Sequence, residues 1–443
     1  MPIALRLYAP LALPCDATCS VVRDAVVDID TSGRVAFCGV RSQAPKTATD
    51  TVIRHCTGML LPGLINAHAH SPMTLLRGMG GDLPLLRWLR EVVWPAESRL
   101  RPSDVRAGME LGCVEMLRAG VTTSAEMYFS GESVVEATLA VGSRVLFTSA
   151  VIDMPDLGDL GGWERMVDET SRWIDADGLR FGPGERIELG YGPHSAYTLP
   201  PEALRSIGEQ AQQRGALVQT HVAETAGEDS RQREQYGSVP KLLDKLGVLD
   251  GRVLAAHGVH LSDEDIAILS GRGVGVAHCP GSNAKLASGT ARTVDMLASG
   301  MPLGLGTDGP SSNDDLDLWE EVQLAGMLAR LSTGDSTAIS ARCALLAATR
   351  GGAAALHRDD IGSLEPGCYA DIVHMDVDNP AFATGLDVAD EQVLSNLVWA
   401  AGSRCVRDVW VAGEEVLRER EPTRVDRHRV QRVAGTAAEH VRG

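Results

Sequence analysis

The 443-residue chain has no uninterrupted apolar stretch approaching membrane-spanning length, so no helix crossing a bilayer is expected. It also lacks a surplus of positive charge: 41 Lys and Arg stand against 59 Asp and Glu, a formal net charge of -18. A nucleic-acid backbone or an anionic membrane needs a basic face, so neither is expected as the main partner. No C-x-x-C pair occurs, and the nine cysteines are odd in number and scattered. That pattern reads as reduced thiols in the cytoplasm rather than a disulfide framework. The apolar start, Ile3 to Leu13 with Arg6, invites comparison with a signal segment, but Pro10 and Pro14 break it and strand-like runs follow. Finally, no G-x-G-x-x-G follows any predicted strand, which argues against a doubly wound dinucleotide-binding sheet.

What is present is ordinary in bulk, with 44% hydrophobic and 23% charged residues, and long enough for one large domain plus a smaller one. Short β-type runs such as Ala25 to Asp30 and Arg34 to Phe37 fill the beginning. The same texture returns in Tyr369 to Asp376 and Cys405 to Gly413. Between them, eight β-type runs alternate with helical patterns: Leu64 to Ala67, Thr122 to Met127, Arg144 to Ile152, Ile187 to Tyr191, Leu217 to Thr220, Val253 to Ala256, Val274 to Ala277 and Leu303 to Gly306. Helices are predicted over Pro102 to Ala119, Pro201 to Arg214, Asp263 to Arg272 behind a Ser262/Asp265 capping box, and Asp315 to Arg330. Eight βα units predict a (β/α)8 TIM-type barrel over residues 59–358, with a small composite β-sandwich built from residues 1–58 and 359–443. The tail after Glu421 reads as a short helix and a candidate oligomer contact; a homo-oligomer is expected.

In such a barrel the reactive groups sit where strands end on the C-terminal face. His68 and His70 follow the first strand as an H-x-H pair, whose side chains share one face and so reach one metal ion. His194 follows the fourth, His221 and Glu224 the fifth, His257 the sixth, His278 and Asn283 the seventh, and Asp308 the eighth. Any one of these has a bland explanation as a loop cap or turn residue. Six histidines and one aspartate at equivalent strand ends do not. His260, three past His257, reads as structural.

Pro62-Gly63-Leu64-Ile65-Asn66-Ala67-His68-Ala69-His70, the later His221 and Asp308 resemble the metal signature of the amidohydrolase superfamily. Within it, Met73 to Gly78, Trp94-Pro95-Ala96-Glu97, His221-Val222-Ala223-Glu224-Thr225, His278-Cys279-Pro280 with Ser282-Asn283, and Gly306-Thr307-Asp308-Gly309 are similar to the branch of 5′-methylthioadenosine/S-adenosylhomocysteine deaminases and triazine hydrolases. The resemblance implies one divalent ion, zinc ahead of iron or manganese, held by His68, His70, His221 and Asp308. Binuclear members use a modified lysine after strand four, and Arg186 to Tyr197 contains none.

It further implies hydrolytic deamination of an aminopurine nucleoside, a 5′-substituted adenosine. Asp308 accepts the proton of the attacking water, Glu224 shuttles a proton as general acid/base, and His257 hydrogen-bonds the reacting centre. His194 contacts the ring and Glu97 accepts the ribose hydroxyls, with Asn283 near the substrate; Trp88 and Trp94 are expected to pack in the core, with lining of the base pocket as the alternative. Members acting on S-adenosylhomocysteine carry arginines near the end of strand three and in the following loop. Here those places read Ser149 and Gly161-Gly162-Trp163, which predicts poor use of that substrate and Trp163 packing on the 5′ group. The rival readings are a deaminase of aminodeoxyfutalosine, guanine, oxidised guanine or pterin, a triazine hydrolase, and a scaffold that has lost catalysis. Since all four ligand positions and Glu224 are present, the scaffold is disfavoured.

Overall fold

Eight strands, each ending at the same face, close into a parallel barrel: β1 (Leu64–Ala69), β2 (Val121–Tyr128), β3 (Arg144–Val151), β4 (Ile187–Pro193), β5 (Leu217–Val222), β6 (Arg252–His257), β7 (Gly275–His278) and β8 (Leu303–Leu305). Each pairs in parallel with the next, and β8 returns to β1 through Leu305 opposite Asn66. The computed structural model describes residues 1–81, 83–153 and 162–442. All eight strands lie where the sequence places them. They read as nearly continuous apolar runs because helices cover their outer side while the barrel fills its own inside. Ile65, Ala67, Ala125, Leu146, Leu217, Leu254 and Ala277 form that inner core, whereas Leu64 faces the outer one.

The two chain ends build one nine-stranded mixed sheet. Met59–Pro62 pairs in parallel with Ile3–Ala12 and antiparallel with Ile372–Met375, so this strand joins the early and late segments. The sheet's two faces bury different cores by simple alternation. Leu60 and Ile372 belong to a core within this sheet, while Met59, Leu61, Val373 and Met375 join the main core against the barrel. The initial apolar segment is therefore a sheet strand, Ile3–Ala12. Among the described residues no helix is long and apolar enough to cross a membrane.

Helices Pro102–Arg118, Pro201–Arg214 and Asp263–Gly271 match the sequence reading. The last starts at the predicted capping box: Asp265 Oδ2 accepts from the Ser262 backbone N–H at 2.9 Å, and Ser262 Oγ accepts from the Asp265 N–H at 3.2 Å. The helix expected from Asp315 begins instead at Leu318. Asp315 Oδ1 accepts from the Asp317 N–H at 2.9 Å, an Asx turn that holds the chain out of the helix until Asp317 caps it. The tail forms Arg427–Arg442, whose Ala434 and Ala437 pack on Leu75 and Ala107 of the same chain.

Candidate metal centre and active-site cavity

The ends of β1, β5, β6 and β8 bring five donor side chains into one buried cluster. Ligand atoms of His68, His221, His257 and Asp308 all lie within 4.8 Å of one another. His70 completes the group, its Nε2 3.2 Å from Asp308 Oδ1, with His68 Nε2 3.5 Å from the same oxygen. The sequence expected His257 beside the donors rather than among them; the barrel sets it equally close.

Second contacts aim these donors. His70 Nδ1 lies 2.6 Å from the Met127 carbonyl and His221 Nδ1 2.7 Å from the His194 carbonyl. A carbonyl only accepts, so both Nδ1 atoms carry a proton and both Nε2 atoms face the cluster as the atoms that can ligate. His257 Nδ1 faces Asn283 Oδ1 at 2.9 Å in the same way. Asp308 Oδ2 accepts from Ser282 Oγ at 2.6 Å and Ser312 Oγ at 2.8 Å, leaving Oδ1 to the histidines. His257 and Asp308 both hold positive φ, 71° and 60°. Residues other than glycine take this conformation at a cost, and such strain concentrates at functional sites.

A cation fits this donor set on the structure's own terms. His68 is fully buried and neither of its ring nitrogens has a hydrogen-bond partner, a costly state for two polar atoms unless a ligand meets one of them. Burial pushes His68 down to about 4, against its contact with Asp308, and pushes His221 well down, with help from His194. Both are thus neutral imidazoles, the form that ligates metal. Burial opposes charge on His70 as well, but Asp308 prevails and raises it to about 9.

The cluster forms one wall of a cavity that, its open mouth included, holds about 690 Å³ of space. Glu97, His194 and Glu224 line it, and so do Trp88 and Trp94, which the sequence reading gave first to the core and which pack in the main core as well. Glu224 Oε2 lies 4.0 Å from His257 Nε2, and burial raises the pKa of its carboxyl. Burial likewise lifts Glu97 to about 7, and it holds His194 down at about 3.

Three expected substrate residues stand elsewhere. Ala150 and Ile152 face the cavity, so strand alternation turns Ser149 the other way, into a separate surface groove with Trp173. Trp163 lies in a third groove with Val167 and Arg214, in the first turn of helix Gly162–Asp177; Gly161 lies outside the described residues. Asn283 acts through His257 instead of lining the cavity. His278 is buried outside the lining, His260 Nε2 is held by the Ser288 carbonyl at 2.8 Å, and Lys285 pairs with Asp314 at 2.7 Å. Sequence reasoning missed Tyr128, Tyr197 and Ser312, all of which line the cavity. Tyr128 closes β2, so the strand-end rule applied to every strand would have found it.

Ser282 and Asn283 ride on the short helix Pro280–Lys285. Its Gly281 N–H donates to Glu321 Oε2 at 2.8 Å, and Asn313 Nδ2 donates to Glu321 Oε1 at 2.9 Å. A Cβ on Gly281 would meet Asn313 Oδ1 at 2.3 Å and Glu321 Oε1 at 2.4 Å. Gly281→Ala therefore displaces Glu321 and Asn313 from the contacts that hold this helix beside Asp308 and His257. We expect a loss of about 10–100-fold in metal affinity or turnover, typical of disturbed outer contacts; wild-type metal content and rate in this variant would refute the arrangement.

A family model described as "Amidohydrolase family" matches residues 59–416. The 5-methylthioadenosine/S-adenosylhomocysteine deaminase of Pelotomaculum thermopropionicum is 42% identical over 376 residues, 84% of each chain. The 5'-deoxyadenosine deaminase of Methanopyrus kandleri is 36% identical over 425 residues, covering 95% of this chain and 96% of that one. Among solved structures, an adenosine deaminase from Xanthomonas campestris with bound zinc superposes with a TM-score of 0.92 at 34% identity, covering 100% of this chain and 99% of that chain.

Proposed function

The chain belongs to the amidohydrolase family, and from that premise we propose that it removes the amine of an adenosine-type nucleoside by hydrolysis. The observation that carries this reading is the placement of Glu224 in the same cavity as the five-donor cluster. Hydrolytic deamination needs both a source of activated water and protons for the ring nitrogen and the departing amine, and this pairing supplies the second beside the first.

We assign the metal to His68, His70, His221 and Asp308, with His257 facing the reacting centre; the donor set suits zinc. A divalent ion held there supplies Lewis acidity, which makes water nucleophilic near neutral pH. The side chains do the rest. Asp308 takes a proton from the water as its oxygen bonds to the amine-bearing carbon. Glu224 gives its proton to the adjacent ring nitrogen; the proton held by Asp308 passes to the amine, the C–N bond breaks to release ammonia, and Glu224 recovers a proton from the remaining hydroxyl as the carbonyl forms. His257, its ring fixed by Asn283, hydrogen-bonds the tetrahedral centre. His194, kept neutral by burial, contacts the ring, and Glu97 accepts from the ribose.

No lysine or arginine is among the described residues lining the cavity. A carboxylate-bearing 5′ tail therefore finds no cationic partner there, while a neutral thioether or methyl group meets apolar walls from Leu85, Leu89, Val93 and Ile152. The test is a panel of adenosine, 5′-deoxyadenosine, 5′-methylthioadenosine, S-adenosylhomocysteine, aminopurines, pterins and a chlorotriazine, followed by ultraviolet spectra, ammonia and chloride release. Ammonia from the neutral nucleosides is expected. S-adenosylhomocysteine should be slower by about 10–100-fold, the worth of one charge-assisted contact. No ammonia from any adenosine-type nucleoside would refute the function, and preference for S-adenosylhomocysteine would refute the assignment of the 5′ group.

A further inference from the structure

Glu224, the proton donor assigned above, stands on a turn that carries strain. Ala223, the residue before it, has a φ of 49°, a region that residues with a side chain occupy only where their surroundings hold them there. Backbone bonds do part of the holding. The Val222 and Ala223 carbonyls accept from the Gly258 and His260 N–H groups, each at 3.0 Å, which ties the turn to the loop that follows His257. The Glu224 N–H meets a side chain instead: Glu228 Oε2 accepts from it at 3.1 Å.

Glu228 is the third residue of helix Ala226–Tyr236, which Thr225 caps by accepting from the Glu228 N–H at 3.3 Å. Thr-x-x-Glu is the sequence of a capping box, in which the glutamate returns to the N–H of the cap residue itself. Here its hydrogen bond lies one residue earlier, on Glu224, while the Thr225 N–H favours the same carboxylate from nearby. The side chain is 3% exposed and its Oε1 has no hydrogen-bond partner. Burial, with the neighbouring Glu224 carboxyl, lifts it to about 7. A carboxyl sealed in beside another is unfavourable for the fold, and Glu228 does not line the cavity, so any part it has in the reaction runs through the residue it holds.

We propose that Glu228 is a positioning residue for proton transfer: by accepting from the Glu224 N–H it fixes the strained turn that aims the Glu224 carboxyl into the cavity, and its effect on the rate passes through Glu224. This rests on the reading of Glu224 as the proton donor and extends it to the group behind that donor. What the turn requires of position 228 is an acceptor at the right reach. A glutamine amide oxygen accepts from an N–H as a carboxylate does. Aspartate is one methylene short, and leucine fills the space but leaves the N–H unpaired.

The test uses the full-length, metal-loaded protein with adenosine and 5′-deoxyadenosine. Glu228→Gln should keep kcat within about threefold of wild type. Glu228→Asp and Glu228→Leu should each lower kcat by about 10–100-fold, the scale for a catalytic group misplaced by a remote change, with KM within about threefold and metal content unchanged. A double-mutant cycle then identifies the route: in Glu224→Gln protein, adding Glu228→Leu should change kcat by less than about threefold, whereas a general loosening of the barrel costs the same in both backgrounds. Should the Leu variant not fold, Glu228→Asp completes the same cycle. A Gln variant as slow as the Leu or Asp variant, or an undiminished loss in the Glu224→Gln background, overturns the proposal. Wild-type protein inactive on every adenosine-type nucleoside overturns the functional reading instead, and full activity in Glu224→Gln alone overturns the role of Glu224, so the three failures are told apart.

Discussion

Asp308→Asn should reduce kcat/KM by at least about 10⁴-fold and leave the purified protein with well under one equivalent of metal. Two losses coincide in this substitution. The carboxylate is the cluster's one anionic donor, with Oδ1 between His68 and His70 at 3.5 and 3.2 Å; an amide oxygen offers a much weaker ligand. The same carboxylate is the assigned base for the attacking water, a role worth about 10²–10⁴-fold by itself. Asn also disturbs the outer contacts, because an amide nitrogen in place of Oδ2 cannot accept from Ser282 and Ser312, which now donate to it at 2.6 and 2.8 Å. Metal analysis by plasma spectrometry beside steady-state kinetics checks the result. An Asn variant holding stoichiometric metal with more than about one per cent of wild-type turnover would rule out this role.

Glu224→Gln separates proton transfer from metal binding. Glutamine keeps the shape of the side chain and leaves the backbone contact from the Glu224 N–H to Glu228 Oε2, 3.1 Å, undisturbed. What disappears is the transferable proton, so kcat should fall by about 10²–10⁴-fold while KM changes only a few-fold and metal content stays stoichiometric. Burial raises the Glu224 pKa, so the carboxyl remains protonated to higher pH than an exposed glutamate and the proton is available for donation. Raising the pH through that pKa removes the donor. Full activity in the Gln variant would transfer the role to another group, and parallel loss of metal would assign Glu224 to the cluster itself.

Much of this site was legible because parallel strands are buried on both faces and so print themselves as short apolar runs, each ending at a chemically distinct residue. His68, His70, His221, His257 and Asp308 were all found by that rule. Ser149 and Trp163 were misplaced because a position near a strand end does not say which way its side chain turns. Even the H-x-H pair hides a subtlety. Ile65 and Ala67 face the barrel interior, and alternation continued from them would send Ala69 inward and the histidines out. The β1–β2 ladder is irregular between Asn66 and Ala69, and that break lets His68 and His70 share the inner side.

The sequence by itself determined the eight-strand order, the donor types and their placement at one end of the barrel, because strand length, alternation and termination are local properties of the chain. Only the tertiary structure decided that His257 stands as close to the centre as the other donors, that Asn283, Ser282 and Glu321 act behind them, and that Tyr128 and Tyr197 line the cavity. These depend on barrel closure, which brings β2, the Trp94–Glu97 helix and the ends of β6 and β8 to one cavity from positions far apart in the chain. No local pattern encodes such distances.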